Sequence, residues 1–233
     1  MRAKTIVVIL VALFAASTPS LFGQQTYVPR FDAYVGYAFL DSPHVSLFEN
    51  GVAAQIGVRP KTWYSLGFDY SYTTGDLTLT PDLLLPSLQQ ALGAQLAPYF
   101  AAGYKLVVPV HSKTQTFAAG PQLAYRHMQH VTLFLRPVFL GGIHELATPQ
   151  PLASDAIATG VVRQLAPSGQ KTDTTWFIGF GGGFDILFSK HVALRTQADL
   201  VHDHLFSDLL TDPRWTVRFS IGPAFNFGKN IAK

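Results

Sequence analysis

Cysteine is absent from the 233 residues, so no disulfide can hold the fold together. Glutamate occurs only twice and lysine eight times, although a water-facing protein surface ordinarily relies on both. Charged residues make up 13% of the chain against 48% apolar, which excludes a disordered segment, and no basic cluster argues for a nucleic-acid partner. A run of ~20 apolar residues, the length a membrane-crossing helix needs, is also missing. The longest run stands at the amino terminus, in "MRAKTIVVILVALFAASTPSLFGQQ": two cations, an apolar stretch from Ile6 to Ala16, then small and turn-forming residues. This reads as a secretory signal peptide over 1–23, with 24–233 as the mature domain. The net charge of +3 falls to +1 once Arg2 and Lys4 leave with it.

Aromatics and glycine are plentiful: 18 Phe, 9 Tyr, 3 Trp and 19 Gly. Their arrangement is periodic. In "TWFIGFGGGFDILF" the residues Trp176, Ile178, Phe180, Phe184, Ile186 and Phe188 fall on alternate positions, with glycines and the lone acid Asp185 between them. In a strand this makes one large apolar face and one small or polar face. The same alternation marks seven further segments, beginning at Phe31, Val52, Tyr64, Phe117, Val131, Val192 and Trp215. The apolar set in the Val131 segment is expected to be Val131, Leu133, Leu135, Pro137 and Phe139.

The connections alternate in length. Asp41 to Asn50, Gly75 to Lys113, His144 to Asp173 and His204 to Pro213 are the longer ones, whereas Pro60–Lys61, Met128–His130 and Ser189–His191 are short. An outer-membrane barrel with an even strand number has short periplasmic turns and long extracellular loops, in that order. A β-sandwich and a lipocalin-like barrel are the soluble alternatives, but each would show its polar face to water, where Lys and Glu belong. The eight segments contain neither. Their charges are Asp32, Arg59, Asp69, Arg126, Arg136, Asp185, Arg195, Asp199 and Arg218, nearly balanced in sign, as suits a narrow polar interior. The expected fold is all-β: an up-and-down, eight-stranded antiparallel transmembrane barrel whose lumen holds Asp32, Asp69, Arg126, Arg136, Asp185, Arg195, Asp199 and Arg218 as structural charges. Trp63, Tyr64 and Phe188 are expected at one membrane interface, and Tyr72, Trp176 and Trp215 at the other.

At "GGGFDILFSKHVALRTQADL" (Gly181 to Leu200) and "RFSIGPAFNFG" (Arg218 to Gly228) the chain resembles the small outer-membrane barrels of Gram-negative bacteria, the OmpA-like barrel family. The resemblance implies an outer-membrane location, insertion from the periplasm by the barrel assembly machinery, and lipid as a partner. It implies little about activity, because one fold hosts many functions. Two departures stand out. OmpA itself carries a peptidoglycan-binding domain after its barrel, whereas five residues follow Gly228 here, so cell-wall anchoring is not expected, and "GKNIAK" follows Phe227 where many such barrels finish on an aromatic residue.

Little points to chemistry. "GFGGGF" lacks the helix and the spacing of a dinucleotide loop. "HDH", His202 to His204, places two imidazoles on one strand face without an evident third metal ligand, and His202, Asp203 and Ser207 are close in sequence as a hydrolase would need. No catalytic residue, metal or cofactor is therefore assigned; an outer-membrane lipid-modifying enzyme and a soluble periplasmic binder remain the alternatives. An interior just wide enough for side chains disfavours an open pore. Function is expected in the extracellular loops 75–113 and 144–173, which would meet an extracellular partner in a structural, adhesive or interaction role. The first of these carries Leu88, Leu92 and Leu96 at helical spacing, which predicts a short helix over Ser87 to Ala97 ended by Pro98. Finally, a three-residue turn at Ser189, Lys190 and His191 would set Asp185 opposite Arg195, within reach of an ion pair.

Overall fold

Alternation of large apolar with small or polar side chains gives eight strands among the described residues, 25–211 and 214–232 of the computed structural model. The expected signal peptide, 1–23, lies outside the described residues. The strands are β1 (Pro29–Ser42), β2 (Leu47–Lys61), β3 (Tyr64–Leu79), β4 (Val108–Tyr125), β5 (Val131–Pro149), β6 (Lys171–Leu187), β7 (Val192–Asp203) and β8 (Arg214–Asn230). Each pairs antiparallel with the next, and β8 returns to β1, so the sheet closes; at the long-loop end β6 outruns β7, and Lys171 to Phe177 pair in the sheet with β5 alone. At one end the connections are 62–63, 126–130 and 188–191; at the other they are 43–46, 80–107, 150–170 and 204–213.

The strands run longer than the sequence pattern suggests, from 12 residues in β7 to 19 in β5, whereas ~9–11 suffice to cross a bilayer. The surplus projects at the long-loop end. Residues expected in loops, Leu47 to Asn50, Gly75 to Leu79, Val108 to Lys113, His144 to Pro149 and Lys171 to Asp173, are paired in the barrel wall. Lys61, Lys113, Lys171, Lys229, Glu49 and Glu145 therefore do occur in strands, which corrects the expectation that the strands are free of Lys and Glu.

Outward positions carry a broad apolar belt: Phe31 and Val35 on β1, Ile56 on β2, Phe68 on β3, Phe117 on β4, Leu140 on β5, Phe180 on β6 and Phe225 on β8 are all exposed. Trp63 and Phe188 edge this belt at the short-turn end, and Trp176 and Trp215 edge it at the other. Two residues of the expected outward set on β5 are buried: Val131, at the start of the strand, and Phe139. Strict alternation expects Phe139 among the outward side chains, yet it is 1% exposed and points into the lumen, while its neighbours Val138 and Leu140 face out. The cause is a β-bulge. Three residues, Arg136 to Phe139 counted past the first, oppose two on β6 between Gly181 and Gly179, and the pairing with β4 shifts at the same place. Pro137 sits in the bulge, where its missing N–H leaves no ladder bond unmade. The extra residue flips the side-chain phase downstream.

The Phe139 and Phe177 rings fill the lumen edge to face, 6.1 Å apart. Glycine on the wall makes room for them: a Cβ on Gly141 would stand 2.6 Å from the Phe177 ring, and one on Gly179 would collide with Phe139. At the short-turn end the Gln25 amide reaches Met128 O at 3.1 Å and Thr132 Oγ1 at 3.0 Å, drawing the segment ahead of β1 across the mouth.

The long-loop end is closed by a cap. The connection 80–107 holds α1 (Pro86–Ala101), and 150–170 holds α2 (Ala156–Leu165). The expected helix over Ser87 to Ala97 thus continues one turn further, with Pro98 inside it. Proline removes a single backbone donor there, and the apolar face that docks Leu92 and Leu96 into the cap carries the helix past it. No helix is expected at α2. Its start is marked by Asp155, whose Oδ1 accepts from Ala158 N at 2.8 Å, and Ala158, Val161 and Val162 form the buried face that follows.

Candidate functional site

The lumen is organised in three layers, each contributed by the inward positions of the same strands. The first is charged. Because β6 and β7 pair in the register Leu187↔Ala193, Asp185 stands directly opposite Arg195. The guanidinium meets the carboxylate side-on, Nε to Oδ1 at 2.8 Å and Nη2 to Oδ2 at 3.0 Å, the bidentate geometry that planar Arg favours. Its remaining nitrogen, Nη1, reaches Asp32 at 2.9 Å and Gln55 Oε1 at 2.7 Å. Arg59 approaches the other oxygen of Asp32 at 3.3 Å and donates to Pro29 O at 3.0 Å. These four charges, from β1, β2, β6 and β7, sum to zero.

A second neutral quartet lies beside it. Arg136 pairs with Asp69 and, at 3.0 Å, with Asp199. Arg218 pairs with Asp199 at 2.8 Å and with Asp69 at 2.9 Å. Each Asp thus bridges two guanidiniums, and the four residues come from β3, β5, β7 and β8. The Phe139 ring packs against the quartet, with the Arg136 guanidinium 4.0 Å from its centroid. Isolated charges could not occupy so dry a site; paired and hydrogen-bonded ones can.

Of the residues expected in the lumen, seven enter these quartets, and Arg59 joins them. Arg126 does not. It lies one position beyond the end of β4, half-buried at the short-turn mouth, where Nε donates to Thr62 O at 2.9 Å and Nη1 to Thr132 Oγ1 at 3.0 Å. The strand stops at Tyr125, so the pleat no longer assigns Arg126 to a wall face.

Above the charges comes a layer of hydroxyls and the chain's two glutamates. Ser71 and Thr116 are 2.6 Å apart, Thr73 and Thr114 donate to the two oxygens of Glu49 at 2.8 and 3.0 Å, and Ser112 donates to Glu145 at 2.9 Å. Both glutamates were missed because they fell in segments read as loops. Parity would have found Glu49, which is spaced by twos from Gln55 and Arg59 on the inward face of β2. The third layer is apolar. Leu77 and Leu79 of β3 and Val108 and Val110 of β4 point inward here and pack against Leu92, Leu96, Val161, Val162 and Leu210 of the cap. The outward neighbours on these two strands are mostly polar, namely Asp76, Thr78, His111 and Lys113, with Pro109 the exception.

Two tethers hold the cap. Tyr104 donates its hydroxyl to Asp155 at 2.8 Å, joining the two long connections. Burial and the carboxylate push the Tyr104 phenol up to about 12, while the Ala158 N–H and the Tyr104 hydroxyl hold the Asp155 carboxyl below its ordinary value. The second tether pairs backbone of 83–85 with 209–211, through Leu85 N to Leu209 O at 2.9 Å and Thr211 N to Leu83 O at 3.2 Å.

The histidine segment divides. His202 and His204 stand edge to face, 4.9 Å apart, among Trp215 and Trp176 on the outside of the barrel. Asp203 points the other way, 2% exposed, and accepts from Leu205 N at 3.2 Å. His202 and Asp203 thus lie on opposite faces, and the arrangement that a hydrolase would need is pulled apart. Among the described residues no group of three or more His, Asp or Glu side chains is placed to hold a metal ion.

No protein-family model matches the sequence. No curated protein is similar to it. In structure it is similar to Ail, the attachment invasion locus protein of Yersinia pestis, at 11% identity and a TM-score of 0.49, over 86% of this chain and 99% of that one. It is similar also to Neisserial surface protein A, at 11% identity and a TM-score of 0.47 over 84% and 96% of the two chains. The outer membrane protein OprG from Pseudomonas aeruginosa matches at 12% and 0.47, over 89% and 100%. The closed eight-stranded barrel itself rests on the strand pairing of this chain.

Proposed function

We propose that this chain is an outer-membrane barrel with a closed lumen that acts through its capped, long-loop end as a structural, adhesive or interaction protein. One observation carries the reading. A belt of exposed Phe, Tyr, Leu, Ile and Val covers the outside of seven strands and passes over β7 through the half-buried Leu194 and Leu200, bordered by Trp63 and Phe188 on one rim and Trp176 and Trp215 on the other, while the eight charges of the two quartets are inside. An apolar surface of that extent is untenable in water and suits a bilayer. A soluble lipocalin-like barrel would carry the opposite arrangement. The two lumenal quartets fill the cross-section with side chains, which supports a wall rather than a pore.

With the start of β1 and the end of β8 at the short-turn end, insertion from the periplasm leaves the capped end outside the cell. There the connections 80–107 and 150–170, shorter than the loops 75–113 and 144–173 expected from sequence, present the surface available to an extracellular partner. Delivery would require the signal peptide at 1–23 and the barrel assembly machinery. The test is cell fractionation combined with protease treatment of intact cells expressing the protein. Recovery with the outer membrane, slower gel mobility after boiling, and cleavage of a variant carrying a protease site in 150–170 are expected. A soluble periplasmic monomer, or cleavage only after the periplasm is opened, would overturn the reading.

A further inference from the structure

The apolar layer beneath the cap is not completely filled. A cavity of about 60 Å³ lies between the wall and the cap, with Leu79, Val108 and Val110 on one side and Val161, Val162 and Leu210 on the other. We propose that this cavity is a binding site for a small uncharged alkyl group, whether a free molecule of a few carbon atoms or the end of a longer chain.

The volume sets the size. It is smaller than the about 150 Å³ that houses a benzene ring in an apolar protein cavity. The lining sets the polarity. Two charged residues reach it, and each is directed to a protein partner: Glu145 accepts from Ser112 Oγ at 2.9 Å, and Lys171 Nζ meets Asp208 at 2.6 Å. What remains is apolar apart from Thr80 at the rim, with Phe206 the one aromatic among aliphatic side chains, and a single hydroxyl does not give a water molecule the two to four polar partners it needs. Ala147 and Ala166 also line the space, so a larger residue at either position would close it. Access is lateral. Leu79, Pro149 and Leu165 are only half-buried, leaving a route between the ends of β3 and β5 and the last turn of α2.

The proposal is independent of which partner the outer surface meets. It is tested with the full-length protein in lipid nanodiscs, with Val and Leu methyl groups labelled for NMR, under increasing propane and, separately, 1-dodecanol. Propane should shift the methyls of Val108, Val110 and Val161 saturably and leave Leu92 of α1 in place. Shifts of the same methyls by dodecanol identify chain ends as guests; a response to propane alone identifies free small molecules. Ala147→Leu should weaken propane binding at least tenfold, and Ala147→Val serves as a milder filling variant should the first fail to fold. Absence of a saturable shift would overturn the proposal. So would shifts spread equally over belt methyls such as Val52 and Leu135, or shifts that both filling variants leave unchanged.

Discussion

Two halves of the same strands face opposite solvents. Along β3 the outward residues Leu66, Phe68, Tyr70 and Tyr72 are succeeded by Thr74, Asp76 and Thr78, while the inward residues Ser65, Asp69, Ser71 and Thr73 are succeeded by Leu77 and Leu79. On β4 the inward run goes from Thr116, Thr114 and Ser112 to Val110 and Val108. No bulge or register shift lies between the halves of β3 and β4 at this level. The pleat is unchanged and the surroundings have swapped: in the belt the polar groups hide from lipid inside the barrel, and above it the apolar groups hide from water under the cap. The lower half is held by ion pairs in a dry lumen, the upper half by an ordinary hydrophobic core roofed by α1 and α2. Glu49 and its hydroxyl partners mark the boundary.

The comparison predicts where substitutions hurt most. Arg195→Ala strands Asp185 in the lower lumen and leaves Asp32 with Arg59 alone, and breaking a buried pair in this way costs about 3–5 kcal/mol. Urea unfolding in lipid vesicles, followed by tryptophan fluorescence, should show that loss, with Asp185→Ala and Arg195→Ala together costing less than their sum. A cycle with no coupling would show that the quartet is not one unit. At the boundary, Glu49→Leu leaves the Thr73 and Thr114 hydroxyls without their acceptor, a loss of about 1–3 kcal/mol in the same assay. A neutral result would place the boundary nearer to water than the hydroxyl layer implies.

In the upper half the effects should be local. Leu92→Asp or Val161→Asp buries a charge in the cap core, so protease should cut within 80–107 and 150–170 while the folded barrel keeps its gel mobility. Collapse of the barrel would refute the division into halves. The smallest effect is that of pH on the tether between Tyr104 and Asp155. The Asp155 carboxyl is held below its ordinary value of 3.8, so its contribution is complete above that value and disappears as pH falls further. Tyr104 is raised to about 12, so its contribution is complete below its ordinary value of 10.0 and disappears as pH rises through about 12. The protection factors of the α2 amides, their exchange rates corrected for the intrinsic pH dependence, should therefore fall at both extremes and not between them, and Asp155→Ala should lower them throughout.

The same swap of surroundings governs what was legible in the sequence. Apolar alternation located all the strands in their belt portions, and the turn at 189–191 fixed the register that sets Asp185 against Arg195, because a pleat with one lipid face tolerates no other parity. The alternation appeared to stop at Gly75 and His144, although the strands continue, since the inward set turned apolar just where the outward set turned polar. Glu49 and Glu145 were lost with those ends. Phe139 was misassigned because a bulge inserts one residue without changing composition, and Pro137 was its one local sign. The α2 helix was hidden by its length of ten residues, too short for periodicity alone, although Asp155 marked its start.

The central claim is that a single face of β3 passes from lipid to water without changing parity. A chain with no cysteine of its own permits a direct measurement: single cysteines at Leu66, Phe68, Asp76 and Thr78, each carrying a nitroxide, read for collision with lipid-soluble oxygen and with a water-soluble nickel complex. The account predicts oxygen contact at 66 and 68 and nickel contact at 76 and 78, all on the outward face. Nickel contact at all four positions would contradict it, because the belt would then face water and the barrel would not span a membrane.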